Sequence, residues 1–201
     1  MSGLIQIGAN AGQEVPIFRA HGISPAVLIE PLEHAYAKLV AAVGQDDGFF
    51  PVRALCASLD GQEHTFHISD ADGQASSFLA PQRVLTAHPD VSFPTAVSMT
   101  SRTVDSIIGD LAQAQPSLAV DRLDLLLLDT QGSELHVLMG ATQALHRASA
   151  VWTEVSYDLY AGGATLEALQ GLLAAFGYRL NNVSLNRHGW GNALFLKSAK
   201  P

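Results

Sequence analysis

The chain is poor in cysteine, in basic side chains and in long apolar runs. A single cysteine, Cys56, among 201 residues leaves no internal disulfide framework, which fits a reducing compartment. Lys and Arg number 11 against 19 Asp and Glu, a formal net charge of −8, and no Lys/Arg-rich run compensates locally. A protein that grips a nucleic-acid backbone needs the opposite balance, so nucleic acid is not expected as a partner. No apolar stretch approaches the roughly 20 residues that span a bilayer. The N-terminus also lacks the basic-then-apolar pattern of a secretory signal. A soluble, cytoplasmic protein without a membrane partner is the expectation. Neither HExxH nor paired CxxC occurs, so no dedicated metal site is expected. Ser133 lacks the Gly-x-Ser-x-Gly frame of a hydrolase nucleophile.

What is present is alternation. At 201 residues with 48% hydrophobic content the chain suits one domain, 1–201. The run Leu4 to Gly8 reads as a strand, a glycine cluster as a turn, and the next segment as a brief helix ending near His21-Gly22. Val27 to Ile29 reads as a second strand, with Pro31 suited to the first position of a helix whose inner face is Leu32, Tyr36, Leu39 and Val43. Phe49 to Leu55 is a third strand. From about 56 to 102 helical periodicity disappears and turn signals multiply, as in an insertion of hairpins and loops. Thr103 caps a helix to about Ala114. Leu123 to Leu128 is a strand apolar enough to be buried on both faces. One helix follows on Leu135, Leu138, Met139, Thr142 and Leu145, then a strand from Ala150 to Val155 and a helix ending at Gly177. Tyr178 to Val183 and Ala193 to Lys197 form a closing antiparallel pair around an Asn-Arg-His-Gly-Trp-Gly loop. The result is an α/β fold with a mostly parallel sheet, whose ligand lies outside the carboxyl ends of the strands.

Those ends carry Gly8 to Gly12, Glu30, Cys56 to Leu59, Asp129 to Gly132 and Glu154. A dinucleotide turn places glycines first, third and sixth, where this chain has Gly8, Asn10 and Gln13. Asn10 puts a side chain where a pyrophosphate must approach, which disfavours an NAD-linked oxidoreductase, and no Gly-Lys-Ser/Thr follows for a phosphate loop. Glu30, 22 residues after Gly8, has the position of a carboxylate that binds two ribose hydroxyls. The bland alternatives are a tight strand-to-helix bend and acids favoured by helix dipoles.

Ile7-Gly8-Ala9-Asn10-Ala11-Gly12, Ile29-Glu30-Pro31, the stretch from Asp124 to Glu134, Val137-Leu138-Met139-Gly140-Ala141 and Trp152-Thr153-Glu154-Val155 together resemble the FkbM family of S-adenosylmethionine-dependent methyltransferases. The most specific part is Asp-x-Gln-Gly-x-Glu followed by Val-Leu-x-Gly-Ala. The resemblance implies a Rossmann-like class I methyltransferase fold with seven strands, S-adenosyl-L-methionine as cofactor, and O-methylation of a hydroxyl on a small molecule or glycan, such as a sugar or secondary metabolite. Gly8, Ala9, Asn10 and Gly12 then pass under the methionine part, Glu30 and Pro31 meet the ribose, Cys56 and Ala57 border the adenine, and Asp129 lies near the methionine end. Gln6 stands where the family usually has an acid, and still accepts a hydrogen bond. An alcohol needs a base within hydrogen-bond reach, for which Glu154, Asp129, Glu134 and His136 are candidates in that order. His136 also reads as a packing residue. A magnesium ion held by Asp129, Glu154 and the acceptor's own oxygens would leave little trace in sequence, though none is expected. Ser76, Ser77 and Trp190 are candidates for lining an acceptor pocket, among residue types common in loops and hairpins. A non-catalytic adenosyl-cofactor-binding domain is the other alternative.

Overall fold

The computed structural model describes residues 2–187 and 189–198; His188, in the closing loop, lies outside them. One sheet has seven strands: β1 (Gly3–Ile7), β2 (Ala26–Ile29), β3 (Phe49–Val52), β7 (Leu123–Leu128), β8 (Ala150–Ser156), β9 (Tyr178–Leu185) and β10 (Trp190–Lys197), in the order β3-β2-β1-β7-β8-β10-β9. All neighbouring pairs from β3 to β8 are parallel, and β10 runs antiparallel to both β8 and β9. A second sheet of β4 (Leu55–Cys56), β6 (Thr95–Arg102) and β5 (Glu63–Ile68) comes from the segment between the third strand and the helix capped by Thr103.

Helices cover the seven-stranded sheet from two sides because its strands are apolar on both faces. α1 (Val15–Ala20) and α2 (Glu33–Val43) bury Val15, Phe18, Leu39 and Val43 against Leu4 and Leu28. α4 (Val104–Ala114), α5 (Glu134–Met139), α6 (Thr142–Arg147) and α7 (Leu166–Ala175) bury Ile107, Leu138, Leu145 and Leu169 against Ile5, Val27 and Leu126 on the other. The short α3 (Val84–Ala87) belongs to the loop-rich segment.

Three local expectations need correction. The third strand stops at Val52, because the chain leaves the sheet there and Leu55–Cys56 pairs with β6 instead. Pro31 is not the first helical residue: Leu32 is the N-cap, held extended at φ −77°, ψ 125° while its N–H bonds the Glu30 carboxylate. The single helix expected over Leu135 to Leu145 is two, broken at Gly140-Ala141. A Cβ on Gly140 would overlap the Ala57 carbonyl oxygen, and the helix bends where the second sheet's connection crosses it. Thr103 does cap α4, its hydroxyl accepting from Ser106 N at 3.1 Å.

Candidate active site

The strand order reverses between β1 and β7, which leaves a crevice at their carboxyl ends. A cavity of about 500 Å³ occupies it. Its floor is built by hydrogen bonds between strand ends. The Gly8 and Ala9 N–H groups both donate to the Ile29 carbonyl at 3.0 Å, and Asp129 N donates to the Ile7 carbonyl at 3.0 Å. Glu30, 4% exposed, accepts from Asn10 N on Oε2 and Leu32 N on Oε1, each at 2.9 Å. The glycine turn and the acid ending β2 are thus joined directly. Asn10 holds φ +42°, a left-handed conformation that asparagine tolerates better than most residues, and its Oδ1 accepts from Ala11 N at 2.7 Å.

On the β7 side, Gln131 ties two carboxyls together: its Nε2 donates to Asp129 Oδ1 at 2.7 Å and to Glu154 Oε2 at 3.0 Å. Its Oε1 accepts from the Tyr160 hydroxyl at 3.2 Å. The other Glu154 oxygen accepts from the Trp190 indole N–H. Burial pushes Glu30 up to about 7, against its two backbone hydrogen bonds. Burial, then the charges of Asp129 and Glu134, hold Glu154 well above the ordinary carboxylate value. Asp129 is accessible from the cavity, yet the surrounding protein still desolvates its carboxyl and raises it. Among the described residues the cavity wall includes Glu14, Glu30 and Asp129 and no Lys or Arg.

Gly8, Asn10, Glu30, Pro31, Cys56 and Asp129 are brought together around this cavity, with Ser76 and Trp190 at its far side. Other expected residues stand behind it. Ala9 and Ala57 are buried, and Gly12 packs against the Leu39 side chain of α2. Gln6 is buried in β1; its Nε2 donates to Glu14 Oε2 at 3.2 Å, while its Oε1 has no partner among the described residues. Ser77 lies in a bridge with His67. Glu134 closes its own turn, Oε1 accepting from Thr130 N at 2.9 Å, Thr130 Oγ1 at 3.1 Å and Gly132 N at 3.2 Å, and burial pushes it to about 7. His136 packs edge-on against Phe78 at 5.5 Å, outside the cavity wall, and burial lowers it. Among the described residues no three His, Cys, Asp or Glu side chains are grouped to hold a metal, and between Asp129 and Glu154 stands an amide donor.

Several cavity residues were not legible as site residues: Leu159, and the far wall of Val84, His88 and Val91. This wall is fastened to the loop after β8, with Gln82 and Val84 N–H groups donating to the Leu159 carbonyl at 3.0 and 3.2 Å. Gln131 lies on the expected rim from Asp129 to Gly132, and the structure adds its bridge between Asp129 and Glu154. No local pattern marks the far wall.

A family profile described as the methyltransferase FkbM domain matches residues 6–180. The chain is 25% identical over 181 residues to 2-O-methyltransferase NoeI of Sinorhizobium fredii (strain NBRC 101917 / NGR234), covering 86% of this chain and 71% of that protein. Among solved structures, M. capricolum TrmK in complex with S-adenosyl-homocysteine superposes with a TM-score of 0.52 at 8% identity, over 98% of this chain and 62% of that one. The magnesium protoporphyrin IX methyltransferase ChlM of Synechocystis PCC 6803, with bound SAM, gives 0.52 at 8% identity, over 98% and 71%. At such identities the likeness is one of fold, and the chain spans less than two thirds of the TrmK length.

Proposed function

The chain belongs to the FkbM family of methyltransferases, and from that premise we propose that it transfers the methyl group of S-adenosylmethionine to a hydroxyl oxygen of an uncharged sugar or secondary metabolite. The observation that carries this reading is the charge of the cavity: Glu14, Glu30 and Asp129 without a Lys or Arg among the described residues. Such a wall attracts a sulfonium cation and repels a pyrophosphate, so it favours S-adenosylmethionine over NAD. It equally repels a phosphorylated acceptor. The resemblance to a 2-O-methyltransferase supports oxygen as the acceptor atom.

The bound cofactor supplies a methyl group already activated by positive sulfur. The protein's part is placement and proton handling. Each Glu30 oxygen accepts one backbone N–H and retains capacity for one ribose hydroxyl. The turn from Gly8 to Asn10 is fixed against β2, so the path beneath the methionine part exists before binding. Asp129, tied to Gln131, places negative charge at the cationic end. Cys56 and Leu55 give an apolar border for the base.

Calorimetry with S-adenosylmethionine, S-adenosylhomocysteine and NAD tests the cofactor. Binding of both adenosyl ligands and not of NAD is expected; the absence of either adenosyl complex would overturn the reading. Formation of S-adenosylhomocysteine with neutral methyl glycosides, and not with the corresponding sugar phosphates, tests the acceptor class.

A further inference from the structure

Methylation of an alcohol releases a proton, and the carboxyls of the site are poorly disposed to take it. Glu154 accepts hydrogen bonds on both oxygens and is not part of the cavity wall. Glu30 is held by two backbone N–H groups at the ribose position, and Glu134 is enclosed in its own turn. Asp129 lies against the glycine turn, tied to Gln131.

His88 differs from all of these. Among the described residues it is the one imidazole in the cavity wall, and its ring nitrogens carry no hydrogen bond. Its backbone is fixed on both sides, the N–H donating to Val84 O at 2.9 Å and the carbonyl accepting from Val91 N at 3.0 Å. Its ring meets Trp190 edge-on at 5.3 Å, and the same indole donates to Glu154. The indole therefore spans from the carboxyl cluster to the imidazole. The other charged groups facing this cavity are Glu14, Glu30 and Asp129, with Arg83 and Asp90 on the segment of His88 itself.

We propose that His88 is the catalytic base, an inference that rests on the methyl-transfer reading above. A ring nitrogen takes the hydroxyl proton as the acceptor oxygen bonds the methyl carbon, the carbon–sulfur bond breaks with its electron pair left on sulfur, and the imidazolium returns its proton to water. An imidazole with a free ring nitrogen can take that proton, whereas the carboxyls of the site are already engaged by the protein.

The test needs no acceptor. In protein carrying ¹³C-labelled histidine, the His88 resonance is assigned by its loss in His88→Gln and titrated with pH in two complexes. One holds S-adenosylhomocysteine, which is neutral at sulfur; the other holds sinefungin, which carries an amine in place of the methyl sulfonium. The midpoint is expected to lie about 0.5 to 2 pH units lower with sinefungin, the range for unit charges about 6 Å apart as screening falls from that of bulk water to that of a protein surface. At a pH above both midpoints, where the imidazole is neutral, His88→Gln is expected to bind both ligands within about twofold of the unsubstituted protein. Equal midpoints in the two complexes would overturn the inference and leave the methyl-transfer reading intact. Roughly tenfold weaker binding by His88→Gln would make the residue a cofactor contact and overturn it as well. If neither ligand binds, the methyl-transfer reading itself has failed.

Discussion

Gly8 and Asp129 stand back to back: the Asp129 carbonyl oxygen occupies the place a Cβ on Gly8 would take, and Gly8 holds φ +84°. The turn leaving β1 passes this close to Asp129 only because Gly8 has no side chain. Gly8→Ala therefore faces both a backbone clash and a left-handed strain. It is expected to destabilise the fold by about 1–3 kcal/mol or more. It should also abolish S-adenosylhomocysteine binding, because relief of the clash moves the turn that carries Asn10. Urea unfolding and calorimetry would measure the two effects; a variant as stable as the parent would contradict the packing described.

Glu30 joins the turn to β2 and offers its remaining lone pairs to the cavity. In Glu30→Gln one oxygen becomes a donor, which opposes either the Asn10 or the Leu32 N–H and removes a ribose acceptor. Hydrogen bonds to charged groups contribute about 1.5–3 kcal/mol, so cofactor affinity should fall about ten- to a hundredfold. Calorimetry with S-adenosylhomocysteine checks this. An unchanged dissociation constant would remove Glu30 from the cofactor site.

The parts of the site that the sequence discloses are those where strand ends meet by topology. Ile7-Gly8, Ile29-Glu30 and Leu128-Asp129 each show an apolar run breaking into a polar end, and parallel pairing necessarily brings such ends to one rim. Non-local contacts are different. The helix break at Gly140 depends on the Ala57 carbonyl, which is far away in the chain. The far wall at Val84 and His88 depends on hydrogen bonds to the loop at Leu159. Glu134 looks like a catalytic base in the motif, yet its partners are the N–H groups of its own turn, which only the folded backbone reveals.

Buried acids make the free protein sensitive to pH. Glu30 and Glu134 titrate near about 7 when folded against an ordinary 4.5, and Asp129 and Glu154 are raised as well. Between about 4.5 and about 7 the native state thus holds protons that the unfolded chain has released, so stability falls as pH rises through that window. His136, lowered from 6.5, acts in the opposite sense, one group against four. Asp46, Asp60, Asp70 and Asp72 are lowered from 3.8 and act only below this range. The free protein should therefore melt at a higher temperature at the lower end of the window than above it. A sulfonium cation favours the ionised acids, so S-adenosylmethionine should bind more tightly as pH rises, release protons on binding, and narrow the difference. Melting curves across the window, and calorimetry in buffers of different ionisation enthalpy, check both signs. Proton uptake on binding would show the opposite linkage.

Gln131 holds φ +54° and spans Asp129, Glu154 and the Tyr160 hydroxyl with one amide. Asparagine tolerates the same backbone conformation but is one methylene too short to bridge the carboxyls, so Gln131→Asn separates the bridge from backbone strain. Losing the bridge leaves one oxygen of the buried Glu154 without that partner, a penalty of about 1–3 kcal/mol. The penalty should depend on pH in a definite direction. As pH rises and these two raised carboxyls lose their protons, they repel each other without the amide between them. At the lower end of the window Glu154 keeps its proton and can donate it directly to Asp129, replacing the missing link. Urea unfolding of parent and variant at both ends should thus show the larger loss at high pH. An equal loss at both would mean that Gln131 acts by packing alone and that the two carboxyls are not electrostatically joined through it.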